Sequence, residues 1–570
     1  MTLFNALPAA NWLRVYDRSQ LIADLTAAII VTILLIPQSL AYAMLAQVPP
    51  EVGLYSSIMP LVVYALLGTS RTLSVGPVAV VSLMTATSLG SIVQAGTADY
   101  LTAATTLALL SGILLILMGY FKLGMITNFL SHSVISGFIT ASGIIIALSQ
   151  LKHIFGVSAH GDTLAELLPS LLSTANQSHW ITALLGLGMI GFLLLSRKHA
   201  TAWLQRLGLN ESTARTLTKT APIVGIFASI AAVSVFSLQQ RGVIITGHIP
   251  AGLPSLSLQW PSTELLQQLL LPALLISLIG YVESISVGKT LAHRRRQKIN
   301  ADQELIGLGA ANLASCVSGG YPVTGGFSRT IVNFEAGALT QMASILTAIG
   351  IAIASVFLTP VLHFLPKATL AATIIVAVIG LIDFGIIEKT WRFARSDCYA
   401  VLATIAITLF YGVEIGVACG VAASIVMHLY RTSRPHIAEV GLIEGTEHFR
   451  NVERYHVQTV PEILSLRPDE SLFFANAQFL EETISTAVYE RGQIAHIILQ
   501  CNAVNEVDYS ALEMLETVNE QLQDQGVQLH LSEVKGPVMD KLRHTGLLLK
   551  LSGEVFVSQY DAYIKVRKLL

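Results

Sequence analysis

The sequence predicts a polytopic α-helical membrane protein followed by a small cytoplasmic α/β domain, and three observations carry that prediction. Of the 570 residues 53% are hydrophobic and only 12% are charged, where soluble domains carry roughly one quarter charged residues. Apolar runs long enough to cross a hydrocarbon core, which takes about 20 helical residues, recur from residue 21 to residue 430. Beyond Arg434 the runs shorten, charges become frequent, and apolar and polar residues alternate.

The elements follow in order. Residues 1–20 are mixed, carry Arg14, Asp17 and Arg18, and form a cytoplasmic N-terminal segment. The first apolar run, 21–46, is too long for a signal-peptide core and no cleavage pattern follows it, so it opens the membrane domain, 21–432. Further spans are expected at 53–68, 100–120, 124–150, 180–196, 220–237, 266–288, 303–317, 339–360, 367–386, 397–412 and 413–430. Two more segments, 74–90 and 322–335, are apolar but begin with Gly and Pro, and read as short, interrupted spans.

Orientation follows from the basic residues. With the N-terminus in the cytoplasm, cytoplasmic loops hold Arg14 and Arg18; Lys122; Arg197, Lys198, Arg206, Arg215 and Lys219; Lys289, Arg294, Arg295, Arg296 and Lys298; Lys389, Arg392 and Arg395; Arg431 and Arg434. The opposite loops hold Lys152, Arg241 and Lys367. That asymmetry is the positive-inside pattern, and it accounts for HRRRQK (293–298) without a nucleic acid.

The C-terminal domain, 436–570, reads as strands HIAEVGLI, SLFFANA, HIILQC and VQLHLSEV with helices EETISTAVYERG and SALEMLETVNEQLQDQG between them. Strand–helix alternation implies a small α/β domain. It follows the last span and is therefore cytoplasmic.

Composition also excludes. A formal net charge of −2 argues against a polyanion partner. Cys316, Cys398, Cys419 and Cys501 have no paired spacing, so neither a disulfide framework nor a zinc site is expected. SVGKT (286–290) lacks the upstream Gly of a phosphate loop, since Glu283 stands there, and HExxH and GxSxG are absent. An enzyme is not expected, nor any cofactor.

The two interrupted segments carry the chemistry. GTSRTLSVGPVAVVSLM (68–84) and GGYPVTGGFSRTIVN (319–333) lie in different halves of the chain. A matched pair of Gly/Pro-broken hydrophobic segments is the sequence mark of a transporter site. A helix that begins in mid-membrane exposes unpaired N–H groups and the positive end of its dipole, and attracts an anion. Pro77 and Pro322 are expected near the first helical positions. Gly76, Gly325 and Gly326 are expected to let backbone approach a ligand, with Ser328 adding a hydroxyl. Arg329 at such depth must face water, a carboxylate or an anion. Glu283, in LLISLIGYVESISVGKT, is a candidate direct partner, either as a structural ion pair or as a group that takes and releases protons. In the first span, Pro37 is expected to kink the helix, and Gln38 and Tyr42 lie four apart on one face toward a cavity. Ser131 and His132 read as interfacial.

Five blocks make the chain resemble the sulfate permease (SulP) family of anion transporters: residues 37–84, FLSHSVISGF (129–138), GYVESISVGK (280–289), NLASCVSGGYPVTGGFSRT (312–330) and the C-terminal domain. The resemblance implies fourteen membrane segments as a 7+7 inverted repeat, a core domain moving against a gate domain, a cytoplasmic STAS domain and a homodimer. It places the anion between the third and tenth segments. By motif, the substrate-binding residues are then Gln38, Tyr42, Val78, Ala79, Phe327, Ser328 and Arg329, and Glu283 is the proton- or cation-coupling residue. Where related STAS proteins carry a phosphorylated serine, this chain has Tyr509, between Asp508 and Ser510, so dimer packing and scaffolding is the expected STAS role. The function implied is proton-coupled sulfate uptake by alternating access in the cell membrane. Alternatives are bicarbonate or C4-dicarboxylate transport, coupled to protons or sodium, an uncoupled anion channel, and a membrane-tethered regulatory module.

Overall fold

The computed structural model describes residues 7–125, 132–208, 210–211, 214, 217–218, 220–256 and 260–570, with the side chains of His132 and Val417 excepted. Ser131, the His132 side chain, Arg215, Lys219 and the first six residues of the N-terminal segment lie outside the described residues. The chain divides into two compact units, Met1–Ser424 and Ile425–Leu570.

The membrane portion is built from α1 Arg18–Leu45, α2 Pro50–Leu67, α3 Ala79–Gly90, α4 Ala98–Tyr120, α5 His132–Phe155, α6 Trp180–Arg206 and α7 Ala221–Val235. It continues with α8 Thr263–Arg294, α9 Ala301–Val317, α10 Phe327–Glu335, α11 Met342–Phe357, α12 Lys367–Ile379, α13 Arg395–Tyr411 and α14 Val413–Ser433. Among the described residues seven helices are long and apolar enough to cross a membrane. The third and tenth elements are short, 12 and 9 residues, as their interrupted sequences require.

Side chains start several of these helices by satisfying free N–H groups. Asp17 accepts from Gln20 N (2.8 Å) at α1, and Asn300 accepts from Asp302 and Gln303 at α9. α1 runs continuously through Pro37. Of the fourth expected span, 124–150, residues 124–125 belong to a 3₁₀ segment, 126–131 lie outside the described residues, and the described helix α5, His132–Phe155, runs past the expected end. The expected span 367–386 ends at Ile379, and a separate helix, Gly385–Phe393, follows.

Helix packing repeats when each element is exchanged for the one seven places away. α1 packs on α11 as α8 packs on α4, and α3 packs on α8 as α10 packs on α1. α9 packs on α4 as α2 packs on α11, and α6 packs on α12 as α13 packs on α5. Helices 1–4 and 8–11 thus form one body, and 5–7 with 12 and 13 another. The α4–α9 contact is close because Gly112 and Gly309 face each other: a Cβ on Gly309 would stand 2.7 Å from the Gly112 carbonyl oxygen, the small-residue packing that brings membrane helices together.

Two buried carboxylates tie loops to helices. Glu304 of α9, 1% exposed, accepts from Tyr64 Oη (2.6 Å), Thr69 N and Oγ1 (both 2.6 Å) and Ser70 N (3.0 Å). Asp24 of α1 accepts from Leu339 N (2.7 Å), Thr340 N (3.1 Å) and Thr340 Oγ1 (2.5 Å). A buried carboxylate is tolerable only with such a set of donors.

Two short strands, β1 Val75–Gly76 and β2 Thr324–Gly325, pair antiparallel directly ahead of α3 and α10. They overturn one expectation. Pro77 stands two residues before α3 and Pro322 five before α10, so neither occupies the first helical turn. The intervening residues are extended, because the two broken segments cross and exchange backbone hydrogen bonds with each other.

The second unit is a six-stranded sheet in the order β4-β3-β5-β6-β7-β8, where β3 is Ile437–Leu442, β4 Phe449–Asn451, β5 Ile463–Pro468, β6 His496–Gln500, β7 Gln528–Ser532 and β8 Val555–Phe556. β5 to β8 are parallel and β3 is antiparallel to both its neighbours. α15 Ala477–Arg491 and α16 Tyr509–Asp524 cover one face through Leu480, Ile484, Leu515 and Val518. α17 Gln559–Arg567 covers the other face with Tyr563 and Val566. The expected strand SLFFANA is instead a turn: Asn476 Oδ1 accepts from Phe473 N (3.0 Å), and its Nδ2 donates to Ser471 O (2.9 Å). The strand in that part of the sheet is ILSLRP, whose inward run is buried on both faces and so shows no alternation.

Candidate functional site

The crossing of β1 and β2 places the N-termini of α3 and α10 side by side. The pairing is Val75 with Gly325 and Gly76 with Thr324. α8 braces it: Gly325 N donates to Ser284 Oγ (2.8 Å), and Thr324 Oγ1 donates to Gly280 O (2.5 Å). Asn312 of α9 clamps the incoming strand through Val323, accepting from its N–H and donating to its carbonyl (both 2.9 Å). Thr330 Oγ1 accepts from Ser74 N (3.1 Å), and Asn333 Nδ2 donates to Thr72 O (2.9 Å). The last two of these bonds join the two broken segments, more than 250 residues apart in the chain.

Neither half-helix is capped by a side chain: Val78 precedes α3 and Gly326 precedes α10. The first N–H groups of each therefore lack an intrahelical partner, and both dipoles present their positive ends to the same place.

That place is a cavity of about 30 Å³, lined by Gln38 and Tyr42 of α1, Val78, Ala79 and Val80 at α3, Glu283 of α8, Gly326, Phe327, Ser328 and Arg329 at α10, and Ala377 and Leu381 at the end of α12. A cavity of this size admits a water or two. All eight residues singled out from sequence, Gln38, Tyr42, Val78, Ala79, Glu283, Phe327, Ser328 and Arg329, line it together.

Arg329 is 1% exposed. Its Nη2 donates to the carbonyl oxygen of Pro77, while Nη1 is buried without a hydrogen-bond partner. Glu283 lies within electrostatic range of the guanidinium, yet the two form no direct ion pair. The Glu283 carboxylate instead faces the Phe327 backbone N–H at the start of α10. The expectation of a direct Glu283–Arg329 pair is thereby corrected: Pro77, just after β1, gives the guanidinium a carbonyl, and the carboxylate lies near the α10 terminus. Gln38 Oε1 is likewise buried and unpartnered.

The glycines are crowded by the protein's own atoms. A Cβ on Gly76 would collide with Arg329 Nη1, one on Gly326 would stand 3.0 Å from Arg329 Nε, and one on Gly325 would stand 2.7 Å from the Leu73 side chain. The close approach is between protein backbone and protein side chain, and at two of the three positions it makes the slot that holds the guanidinium.

Sequence reasoning missed Val80, Ala377 and Leu381, apolar residues inside apolar runs with nothing to mark them. It also missed Tyr321, which is fully buried, shares a hydrogen bond between its Oη and Ser82 Oγ (3.1 Å) and lies within electrostatic range of Arg329. A signal existed there: a polar aromatic within GGYPVTGG, ahead of the broken helix.

Comparison with known proteins matches residues 21–404 to the sulfate permease family and residues 454–562 to the STAS domain. The chain is 35% identical to the chloroplastic sulfate transporter 4.1 of Arabidopsis thaliana, over 98% of this chain and 82% of that one. It is 33% identical to a probable sulfate transporter of Mycobacterium tuberculosis, over 97% and 96%. Among solved structures, murine Slc26a9 in the inward-facing state superimposes with a TM-score of 0.89 at 23% identity, covering 99% of this chain and 94% of that one. The transmembrane domain of a cyanobacterial bicarbonate transporter, BicA, superimposes with a TM-score of 0.60 at 22% identity, covering 72% and 98%.

Proposed function

As the chain belongs to the sulfate permease family and carries a C-terminal STAS domain, we propose that it is an anion transporter that moves sulfate together with protons across the cell membrane by alternating access. Membership makes it an integral membrane transporter rather than an enzyme. Sulfate is the substrate named for the relatives that match along nearly the whole chain, and the proton is the coupling ion that the site chemistry favours.

The observation that carries the reading is the convergence of two uncapped half-helices, an arginine with an unpartnered Nη1 and a carboxylate on one cavity. The donors suit an oxyanion: backbone N–H groups and a guanidinium need no charge of their own to be rearranged on binding. Glu283 supports coupling by position. Its carboxylate lies near the Phe327 N–H that an anion at the α10 terminus would use. A proton on Glu283 removes the competing charge and releases that N–H. Anion and proton then favour each other's binding, which is the reciprocal coupling a symporter needs. The two helix bodies, joined at the cavity by α3 and α10 on one side and α12 on the other, supply the moving parts. The membrane domain is taken as 21–432 and the STAS domain as 436–570, with the latter and the N-terminus cytoplasmic and the chain a homodimer.

The test is uptake of ³⁵S-sulfate into proteoliposomes under an imposed pH gradient, with unlabelled bicarbonate and fumarate as competitors and sodium as an alternative driver. Accumulation that follows the inward proton gradient supports the reading. Uptake that follows sodium, or accumulation of a competitor in place of sulfate, replaces the ion or the substrate. Steady current without accumulation makes the chain a channel.

A further inference from the structure

A second cavity, of about 850 Å³, lies at the far end of the helices that wall the first. The two share α1, α3 and α12. On α1 the central cavity touches Gln38 and Tyr42, and the larger one touches Met44 and Leu45; on α3 the contacts are Ala79 and Val80, then Leu83, Ala86 and Gly90; on α12 they are Ala377, then Lys367 and Leu370. At 1.5 Å per helical residue, the nearest lining residues are about half a turn apart on α1 and about one turn apart on α3, and Lys367 stands about 15 Å from Ala377. α1 leads from the N-terminal side toward this cavity, so it opens on the face away from the N-terminus.

Its wall is cationic where the surrounding face is poor in cations. The ammoniums of Lys152 and Lys367 line it beside the imidazoles of His153 and His160, with Asp162, which acts electrostatically on Lys152, as the opposing carboxylate. Lys152 and Lys367 are two of the three basic residues that the sequence places on this face. Neither ammonium is held in an ion pair, and both act electrostatically on His153. Lys367 is also the first residue of α12. A cation at a helix N-terminus adds to the positive dipole end and is unfavourable there, so its position concentrates positive potential over the cavity.

We propose that this cavity is an anion-capture vestibule, in which Lys152, Lys367 and the α12 N-terminus gather small oxyanions from the face opposite the N-terminus and raise their concentration above the central site. The occupant is a hydrated inorganic or carboxylate anion, held by charge rather than by shape. The inference rests on the transporter reading for its purpose, but the potential itself is measurable without transport.

The test uses the full chain in right-side-out vesicles with a cysteine introduced by Gln94→Cys, an exposed residue on the cavity wall. Reaction rates are measured with membrane-impermeant anionic and cationic methanethiosulfonates and referred to a free thiol in solution. The vestibule predicts an anionic-to-cationic rate ratio about five-fold or more above the reference, falling toward it with salt and in the Lys152→Gln, Lys367→Gln double variant. The double variant should also raise the KM for ³⁵S-sulfate about five-fold from this face, with little change from the other and in Vmax. Lys152→Arg with Lys367→Arg keeps both properties and controls for folding. A rate ratio at the reference value in the parent, or one that the double substitution leaves unchanged, overturns the vestibule. A high ratio in a protein that moves no anion leaves the vestibule standing and removes the transporter reading.

Discussion

Arg329 of α10 donates a hydrogen bond to the carbonyl oxygen of Pro77, 252 residues earlier, at the threshold of α3. One half of the chain thus places its cation on the backbone of the other, and the free Nη1 remains for the cavity between them.

Replacing the guanidinium tests that arrangement. Arg329→Ala leaves the Pro77 carbonyl unpaired and removes the charge, and should lower kcat/KM for sulfate by about 10- to 100-fold, the worth of a charge-assisted hydrogen bond. Arg329→Lys keeps the charge without the planar fork and should fall between. Initial uptake rates across a substrate series provide the comparison; equal activity in all three proteins would remove Arg329 from anion binding.

Glu283 is tested by its pH profile rather than by its rate. Glu283→Gln cannot exchange a proton and presents no charge to Phe327 N–H. Uptake should lose its stimulation by an inward proton gradient, while sulfate binding in detergent, followed by thermal shift, changes by less than about threefold. Uptake that still follows the gradient in this variant assigns the proton to another group.

Gly76→Ala inserts a methyl where Arg329 Nη1 lies. The expected cost is about 1–3 kcal/mol of stability, as in other overpacked interiors, together with loss of uptake as the guanidinium is displaced. Gly188→Ala in α6 has nothing within 4 Å of the added atom and should be neutral or stabilising by up to about 1 kcal/mol. Paired melting curves settle the contrast, and equal midpoints for the two variants would count against the slot.

In the STAS unit, His530 carries a pH dependence. Burial, then the neighbouring His496, push its pKa down from the usual 6.5 to about 4, with Lys565 acting the same way and Glu554 opposing. Its Nδ1 accepts from Glu554 N (3.0 Å), so the folded ring is neutral. The folded value lies below the unfolded one, so the unfolded chain binds more protons between the two. The stability is complete above about pH 6.5 and is lost as pH falls toward 4. His496, also pushed down by burial, adds in the same direction. Protection factors along β7 in the full chain, that is, exchange rates corrected for their intrinsic pH dependence, should fall between pH 7 and pH 5, and His530→Gln should flatten that fall even if it lowers stability at every pH.

The membrane class, the number and order of the segments and the place of the two broken ones were legible in the chain, because hydropathy and helix interruption are local properties. The candidate residues were legible as well: a charge or an amide in an apolar run must have a reason, and the motif blocks supplied positions such as Val78 and Phe327. What failed depended on neighbours far away. ILSLRP escaped notice because a strand buried on both faces has no alternation, and SLFFANA misled because Asn476 folds an apolar run into a turn.

The sequence by itself determined that a cation, a carboxylate and two truncated helices sit at membrane depth, since each is costly there and visible one residue at a time. Only the tertiary structure decided how they divide their partners. Strand pairing between Val75–Gly76 and Thr324–Gly325 turns Arg329 to a carbonyl and leaves Glu283 to the α10 terminus. That choice is made by backbone hydrogen bonds closing between distant segments, and such closure has no signature in either segment alone.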